Sequence, residues 1–227
     1  MIKVLALTFL LISATSTMAG TKVWGFRGAG FEAWSQGVDQ IAEQARHIPN
    51  VTSVAVYNYY ETQIVYDQIL AAKAADRRVR IAMYGYSCGA NATVVVANAL
   101  RHNVNEVLGM QPSALCGGGY INHIGQNVGY QQNTFAPCWQ TFFLGCQQWE
   151  GGRRSSAMER PQRHLYADQD PAYQQDVLSS INYLANYQVA PPSCDPTRHH
   201  CHGHTVIIHR PAEGESRFVV LHHGQRP

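Results

Sequence analysis

The chain has little net charge: 17 Lys and Arg stand against 15 Asp and Glu, for a formal +2. An excess this small excludes the basic footprint of a nucleic-acid binder and gives no attraction to an anionic membrane. Long apolar runs are also scarce. The longest apolar stretch, Val4–Ile12, is broken only by Thr8, and it is shorter than the roughly 20 residues a spanning helix needs. There is no internal repeat and no long low-complexity segment, which excludes solenoids and repeat arrays. Cysteine is sparse but even, at six.

The apolar run sits behind Lys3 and ends in Thr17-Met18-Ala19, the pattern of a signal peptide over residues 1–19 cleaved before Gly20. Export to a secreted or periplasmic location is expected, and with it an oxidising environment for the cysteines. Cys138 with Cys146 and Cys194 with Cys201 are close enough in sequence to clasp loops, which leaves Cys88 with Cys116. Spacing alone keeps other connectivities open. The remaining stretch of about 208 residues suits one domain with a sizeable core and a small appendage.

What the chain does contain is Gly85-Tyr86-Ser87-Cys88-Gly89, a G-x-S-x-G pentapeptide in a telling context. Before it, Val79, Ile81 and Met83 alternate with Arg80, Ala82 and Tyr84; after it, residues 90–100 read as a small-residue, buried helix. A sharp strand-to-helix turn lifts a serine Oγ clear of the sheet and points the next N–H groups at a developing oxyanion. Ser87 is therefore the candidate nucleophile, and the Cys88 N–H a candidate oxyanion donor.

Around this turn the chain alternates strand and helix. Residues 23–26 form a strand that ends in Arg27-Gly28-Ala29-Gly30, followed by helical spacing of Phe31, Trp34, Val38, Ile41, Ala42 and Ala45. Residues 51–57 make a second strand and 61–77 a second helix; 106–110 make a strand after the Ser87 helix. The expected fold is α/β, a three-layer sandwich with a mostly parallel sheet. Residues 111–133, rich in Gly, Asn and Gln, are expected as a long loop, 135–144 as the last core strand, and 171–187 as a closing helix. The domain thus runs over 20–187. Beyond Pro191-Pro192, residues 188–227 form a His- and Cys-rich extension with a hairpin over 205–208 and 218–221.

The turn 27–30 occupies the place where such an architecture supplies a second oxyanion donor, here the Ala29 N–H. It is no dinucleotide loop, since Gly25, Gly28 and Gly30 lack the G-x-G-x-x-G order. On these motifs the chain resembles the α/β-hydrolase superfamily, and most of all its small secreted bacterial lipase-like and cutinase-like serine esterases, over residues 23–187. That resemblance implies the order nucleophile, acid, histidine. It places the base at His164, in His164-Leu165-Tyr166-Ala167-Asp168-Gln169-Asp170-Pro171, with His204 or His209 of the tail as alternatives.

Related enzymes carry an Asp or Glu after the penultimate strand, and in cutinases a short disulfide loop holds it. Residues 138–146 have the span of that loop but contain no carboxylate. Glu150 is the nearest acid in the required order and is the expected third member; a dyad or a degenerate site is the alternative. Asp168 and Asp170 read as capping acids ahead of the closing helix.

The expected activity is cleavage of carboxylic esters through an acyl-enzyme at Ser87, on a small-molecule or lipid ester, without a cofactor. A thioesterase, acyltransferase or peptidase on the same fold, or a degenerate binding protein, would keep the same features. No stable membrane insertion and no nucleic-acid partner are expected. Trp24, Phe26, Phe31, Tyr59, Tyr60, Tyr86 and Phe142 are candidates for aromatic surface near the strand ends or for core packing. His199, His200, Cys201, His202 and His204 form no ordered ligand set, so no metal site is assigned.

Overall fold

A computed structural model describes residues 19–113, 116, 122–139, 145–160 and 163–186. The expected signal peptide up to Met18, the Cys194–Cys201 pair, the His-rich tail with His204 and His209, the C-terminal hairpin and Phe142 lie outside the described residues.

In chain order the elements are β1 (Thr21–Arg27), α1 (Phe31–Trp34), α2 (Gln36–Ala45), β2 (Val51–Asn58), α3 (Thr62–Ala75), β3 (Arg80–Tyr86), α4 (Cys88–Ala99) and β4 (Val104–Met110). They continue with β5 (His123–Ile124), β6 (Val128–Phe135), β7 (Glu150–Gly151), β8 (Ser155–Glu159), a 3-10 turn (His164–Gln169) and α5 (Pro171–Asn186). Six strands form one sheet in the order β2-β1-β3-β4-β6-β8, with every neighbouring pair parallel. β5 and β7 form a separate parallel pair.

The period of two along the strands builds a core on each face. Trp24, Phe26, Ile81, Met83 and Val107 pack with Val65, Ile69, Val94 and Ala97 of α3 and α4. Val23, Ala82, Tyr84, Tyr86, Leu108 and Met110 pack with Val38, Ile41, Val177 and Ile181 of α2 and α5. A parallel sheet covered on both sides is the α/β three-layer arrangement. Parallel pairing puts every strand C-terminus, and so Arg27, Tyr86 and Met110, on one edge.

Within 111–133, expected as a loop, the described residues include β5 and most of β6, and of the stretch 135–144, expected as the last core strand, the described residues 136–139 are not strand. β6 begins at Val128 and β8 follows at Ser155. Composition hid β6, because Gln131, Gln132, Asn133 and Thr134 are buried polar residues. The Asn133 side-chain amide donates to the Gln147 carbonyl at 2.9 Å, and Tyr130 donates to Gln132 at 3.3 Å. Such bonds let polar side chains occupy a core strand without the cost of an unmet donor.

Helix and sheet are in tight backbone contact at Gly89. A Cβ there would lie 2.1 Å from the Phe26 carbonyl oxygen and 2.7 Å from that of Arg27, both rigid backbone atoms. Gly89→Ala is therefore expected to cost ~2 kcal/mol or more, a fall of roughly 4–8 °C in melting temperature. Thermal unfolding followed by circular dichroism checks this; a melting temperature unchanged from wild type contradicts the close approach.

Candidate active site

Ser87 stands between β3 and α4 with φ 55° and ψ −121°, a conformation rarely tolerated outside glycine. Its neighbours make the turn possible. A Cβ at Gly85 would meet the Gly89 carbonyl oxygen at 2.3 Å, so both flanking glycines are required by sterics. The Ser87 N–H donates to the Met110 carbonyl at 2.9 Å, tying the turn to the end of β4.

His164 reaches the serine from the turn before α5. Ser87 Oγ and His164 Nε2 are 2.8 Å apart across 77 residues of sequence. Both side chains are buried, each at 7% exposure. The Tyr86 hydroxyl donates to the His164 carbonyl, and the two rings lie 5.2 Å apart. Burial disfavours the charged imidazolium and pushes the His164 pKa down to about 4.

On its other side, His164 Nδ1 faces Gln111 Oε1 at 3.0 Å. Gln111 follows β4, has φ 46°, and its N–H donates to the Thr134 carbonyl at 2.6 Å. Its side-chain amide donates to the Tyr173 hydroxyl of α5 at 3.0 Å, and that hydroxyl lies 3.4 Å from the Arg160 carbonyl. Sequence reasoning missed Gln111, since it sought a carboxylate. The available signal was its position, directly after a strand beside the nucleophile strand.

Glu150 is not at this place. It is exposed on β7, paired with His123, and its N–H donates to the Asn122 carbonyl. Its neighbour Trp149 is the residue that turns inward, with its buried ring over Gly109, while Glu150 faces solvent. The disulfide loop nevertheless reaches the site. Cys138 and Cys146 are bonded, with Cα atoms 4.9 Å apart, and a Cβ at Gly145 would fall 2.4 Å from His164 Nδ1. Glycine backbone thus covers the His164–Gln111 contact.

The two acids of the 164–171 segment are caps, on different helices. Asp170 accepts the Ala172 N–H at 2.7 Å at the start of α5. Asp168 instead accepts the Gly37 N–H of α2 at 2.8 Å, so it joins the histidine turn to the helix behind the first glycine turn. Burial raises its pKa to about 6 against those N–H bonds.

The turn 27–30 lies alongside the serine: a Cβ at Gly28 would stand 3.0 Å from Ser87 Cβ. The Gly28 N–H is taken up by Ser35 Oγ at 2.9 Å, and Arg27 makes a two-pronged contact with Asp39 at 2.9 and 2.7 Å. Ala29 is exposed next to this anchored glycine, and Cys88, first residue of α4, carries one of the helix's N-terminal N–H groups. Cys88 is disulfide-bonded to Cys116, with Cα atoms 5.2 Å apart. Of the expected site residues, Ser87, His164 and Cys88 are gathered here with Ala29 beside them, and Glu150 is not.

Three aromatic candidates, Trp24, Phe26 and Tyr86, are buried core residues. The exposed apolar side chains beside the site are Trp34, Leu165 and Tyr166. Among the described residues no group of three His, Cys, Asp or Glu could hold a metal ion, and no helix is long and apolar enough to cross a membrane.

Because His164 is neutral in the fold down to about pH 4 but protonates near 6.5 when unfolded, its contribution to stability is full above 6.5 and is lost as pH falls towards 4. Wild-type protein is therefore expected to lose more melting temperature between pH 7.5 and 4.5 than His164→Gln, in matched calorimetric scans. Equal losses would contradict the buried neutral imidazole.

No family model and no curated protein sequence matches this chain. Solved structures similar to it include a cutinase-like protein from Cryptococcus sp., 14% identical, with TM-score 0.42, covering 74% of this chain and 96% of that one. A candidate hydrolase of the alpha/beta superfamily from Xanthomonas campestris pv. campestris is 13% identical, with TM-score 0.42 and coverage of 73% and 97%. An iodinated complex of acetyl xylan esterase is 13% identical, with TM-score 0.35 and coverage of 74% and 96%. By its own parallel sheet order and its strand–serine–helix elbow, the chain has an α/β-hydrolase fold.

Proposed function

We propose that this protein is a serine hydrolase that cleaves carboxylic esters through an acyl-enzyme at Ser87. The observation that carries the reading is the 2.8 Å contact between Ser87 Oγ, on a positive-φ elbow, and His164 Nε2. Nε2 takes the hydroxyl proton as Oγ bonds to the acyl carbon, and the carbonyl π pair moves to the oxygen. The N–H groups of Cys88 and Ala29 receive that oxyanion. Collapse breaks the bond to the leaving alkoxide, which takes the proton back from Nε2; water then repeats the sequence to release the acid and restore Ser87.

Substrate preference follows from the rim. Ala33, Trp34, Leu165, Tyr166 and Gln169 line a shallow depression of about 80 Å³, with Trp34, Leu165 and Tyr166 each more than half exposed. These exposed apolar side chains, two of them directly after His164, favour an apolar acyl group over a charged one. The reading includes export after removal of residues 1–19, with the disulfides Cys88–Cys116 and Cys138–Cys146 in keeping with an oxidising compartment.

One observation favours a second reading: Gln111 brings no charge where a triad places a carboxylate, as a degenerate site used only for binding would have it. A panel of p-nitrophenyl acyl esters, with thioester, peptide and acyl-acceptor substrates alongside, decides between them. The full chain should prefer oxygen esters, and Ser87→Ala and His164→Ala should each lower kcat by roughly 10³-fold or more with little change in KM. Activity that survives Ser87→Ala would refute the acyl-enzyme, and absence of turnover on every substrate would leave the binding reading.

A further inference from the structure

We propose that Gln111 is a positioning residue that replaces the triad carboxylate with a neutral amide, and that with Tyr173 it holds His164 in the Nδ1–H tautomer. The proposal rests on the ester-hydrolase reading for its kinetic consequences and on geometry for the tautomer itself.

The argument is a count of donors and acceptors. The Arg160 carbonyl can only accept, so the single Tyr173 hydroxyl proton is directed to it at 3.4 Å. The phenolic oxygen is then left to accept, and it lies 3.0 Å from Gln111 Nε2. That contact turns the amide so that Oε1, an acceptor, meets His164 Nδ1 at 3.0 Å. Nδ1 must therefore carry the imidazole proton. The lone pair falls on Nε2, where Ser87 Oγ lies at 2.8 Å. A reversed amide would offer N–H to Nδ1 and place the proton on Nε2, the wrong form for a base, which costs a serine protease roughly 10⁴-fold. Tyr173 is fully buried, and the Arg160 guanidinium is over its ring at 5.7 Å and paired with Asp176 at 2.5 Å, so the anchor is itself held.

Charge is the difference from a carboxylate. Facing the imidazole are Tyr86 from β3, Gln111 after β4 and Gly145 of the disulfide loop. Among the described residues, the charged groups of the surrounding elements include Arg163 and Asp170 at the two ends of the same turn, Asp168 within it, held by the Gly37 N–H, and the Arg160–Asp176 pair behind Tyr173. None of these is bonded to the ring. A neutral partner gives the ground-state imidazole orientation without favouring its protonation, so the base remains available in acid, and the imidazolium formed in the transition state is less stabilised.

Long-range proton–nitrogen NMR of the full, disulfide-intact chain tests this, with the His164 signals assigned by their loss in His164→Gln. Wild type should show the Nδ1–H tautomer, titrating well below the ordinary histidine range. Gln111→Glu should raise the titration midpoint by about one pH unit or more, move the acid limb of kcat/KM upward by the same amount, and raise kcat at pH 8 about tenfold. Tyr173→Phe should mix the tautomers and lower kcat several-fold with KM nearly unchanged. A wild-type imidazole protonated on Nε2, or a midpoint unmoved by Gln111→Glu in folded protein, overturns the proposal. If the tautomer and the shift are as expected but wild type cleaves no ester, the hydrolase reading fails while the role of Gln111 stands.

Discussion

The Cα of Gly89 and the carbonyl of Phe26 come so close that no side chain fits between them. The geometry of the site depends on that contact. It brings the first turn of α4 against the end of β1, so the serine elbow and the turn 27–30 share one corner of the sheet. The same crowding between Gly85 and Gly89 leaves Ser87 no ordinary backbone conformation. Positive φ at a serine costs on the order of 1–3 kcal/mol, and it persists because the surrounding backbone over-determines it. Strain of this kind leaves Oγ presented at the edge of the sheet rather than packed into it.

The histidine arrives from the opposite layer of the molecule, and its support is spread over several elements. Asp168 fastens its turn to α2, Asp170 starts α5, Tyr86 holds the His164 carbonyl, and Gly145 closes over the ring. A buried imidazole without a charged partner is poised neutral. That favours proton uptake from Ser87 at neutral pH less strongly than a carboxylate-backed histidine would, while keeping the ring unprotonated further into acid. Slower chemistry over a wider acidic range is the expected balance.

The two β-turn-α units and the elbow were legible in the sequence because each is local. Alternation in 79–84, the small-residue helix after it and the flanking glycines are read within about fifteen positions. His164 was legible through the resemblance of residues 164–171 to a segment of the related hydrolases, and the fold sets it 2.8 Å from Ser87 Oγ. Gln111 was not, because an amide following a strand carries no chemical signal until the fold sets it beside an imidazole. Glu150 was chosen for its charge and order in the chain, and it is the buried Trp149 next to it that turns inward instead. β6 was missed for a related reason: its polar residues are buried through bonds to residues 147–149, which lie well along the chain. Tertiary partners, not local pattern, make those residues core.

The central claim is that Ser87 is an activated nucleophile, and reaction with a fluorophosphonate tests it without any assumption about substrate. Folded, disulfide-intact protein treated with the probe and mapped by mass spectrometry should carry one adduct at Ser87, formed far more slowly in His164→Ala. Folded protein that forms no adduct at Ser87, or labels at the same rate without His164, would contradict the account.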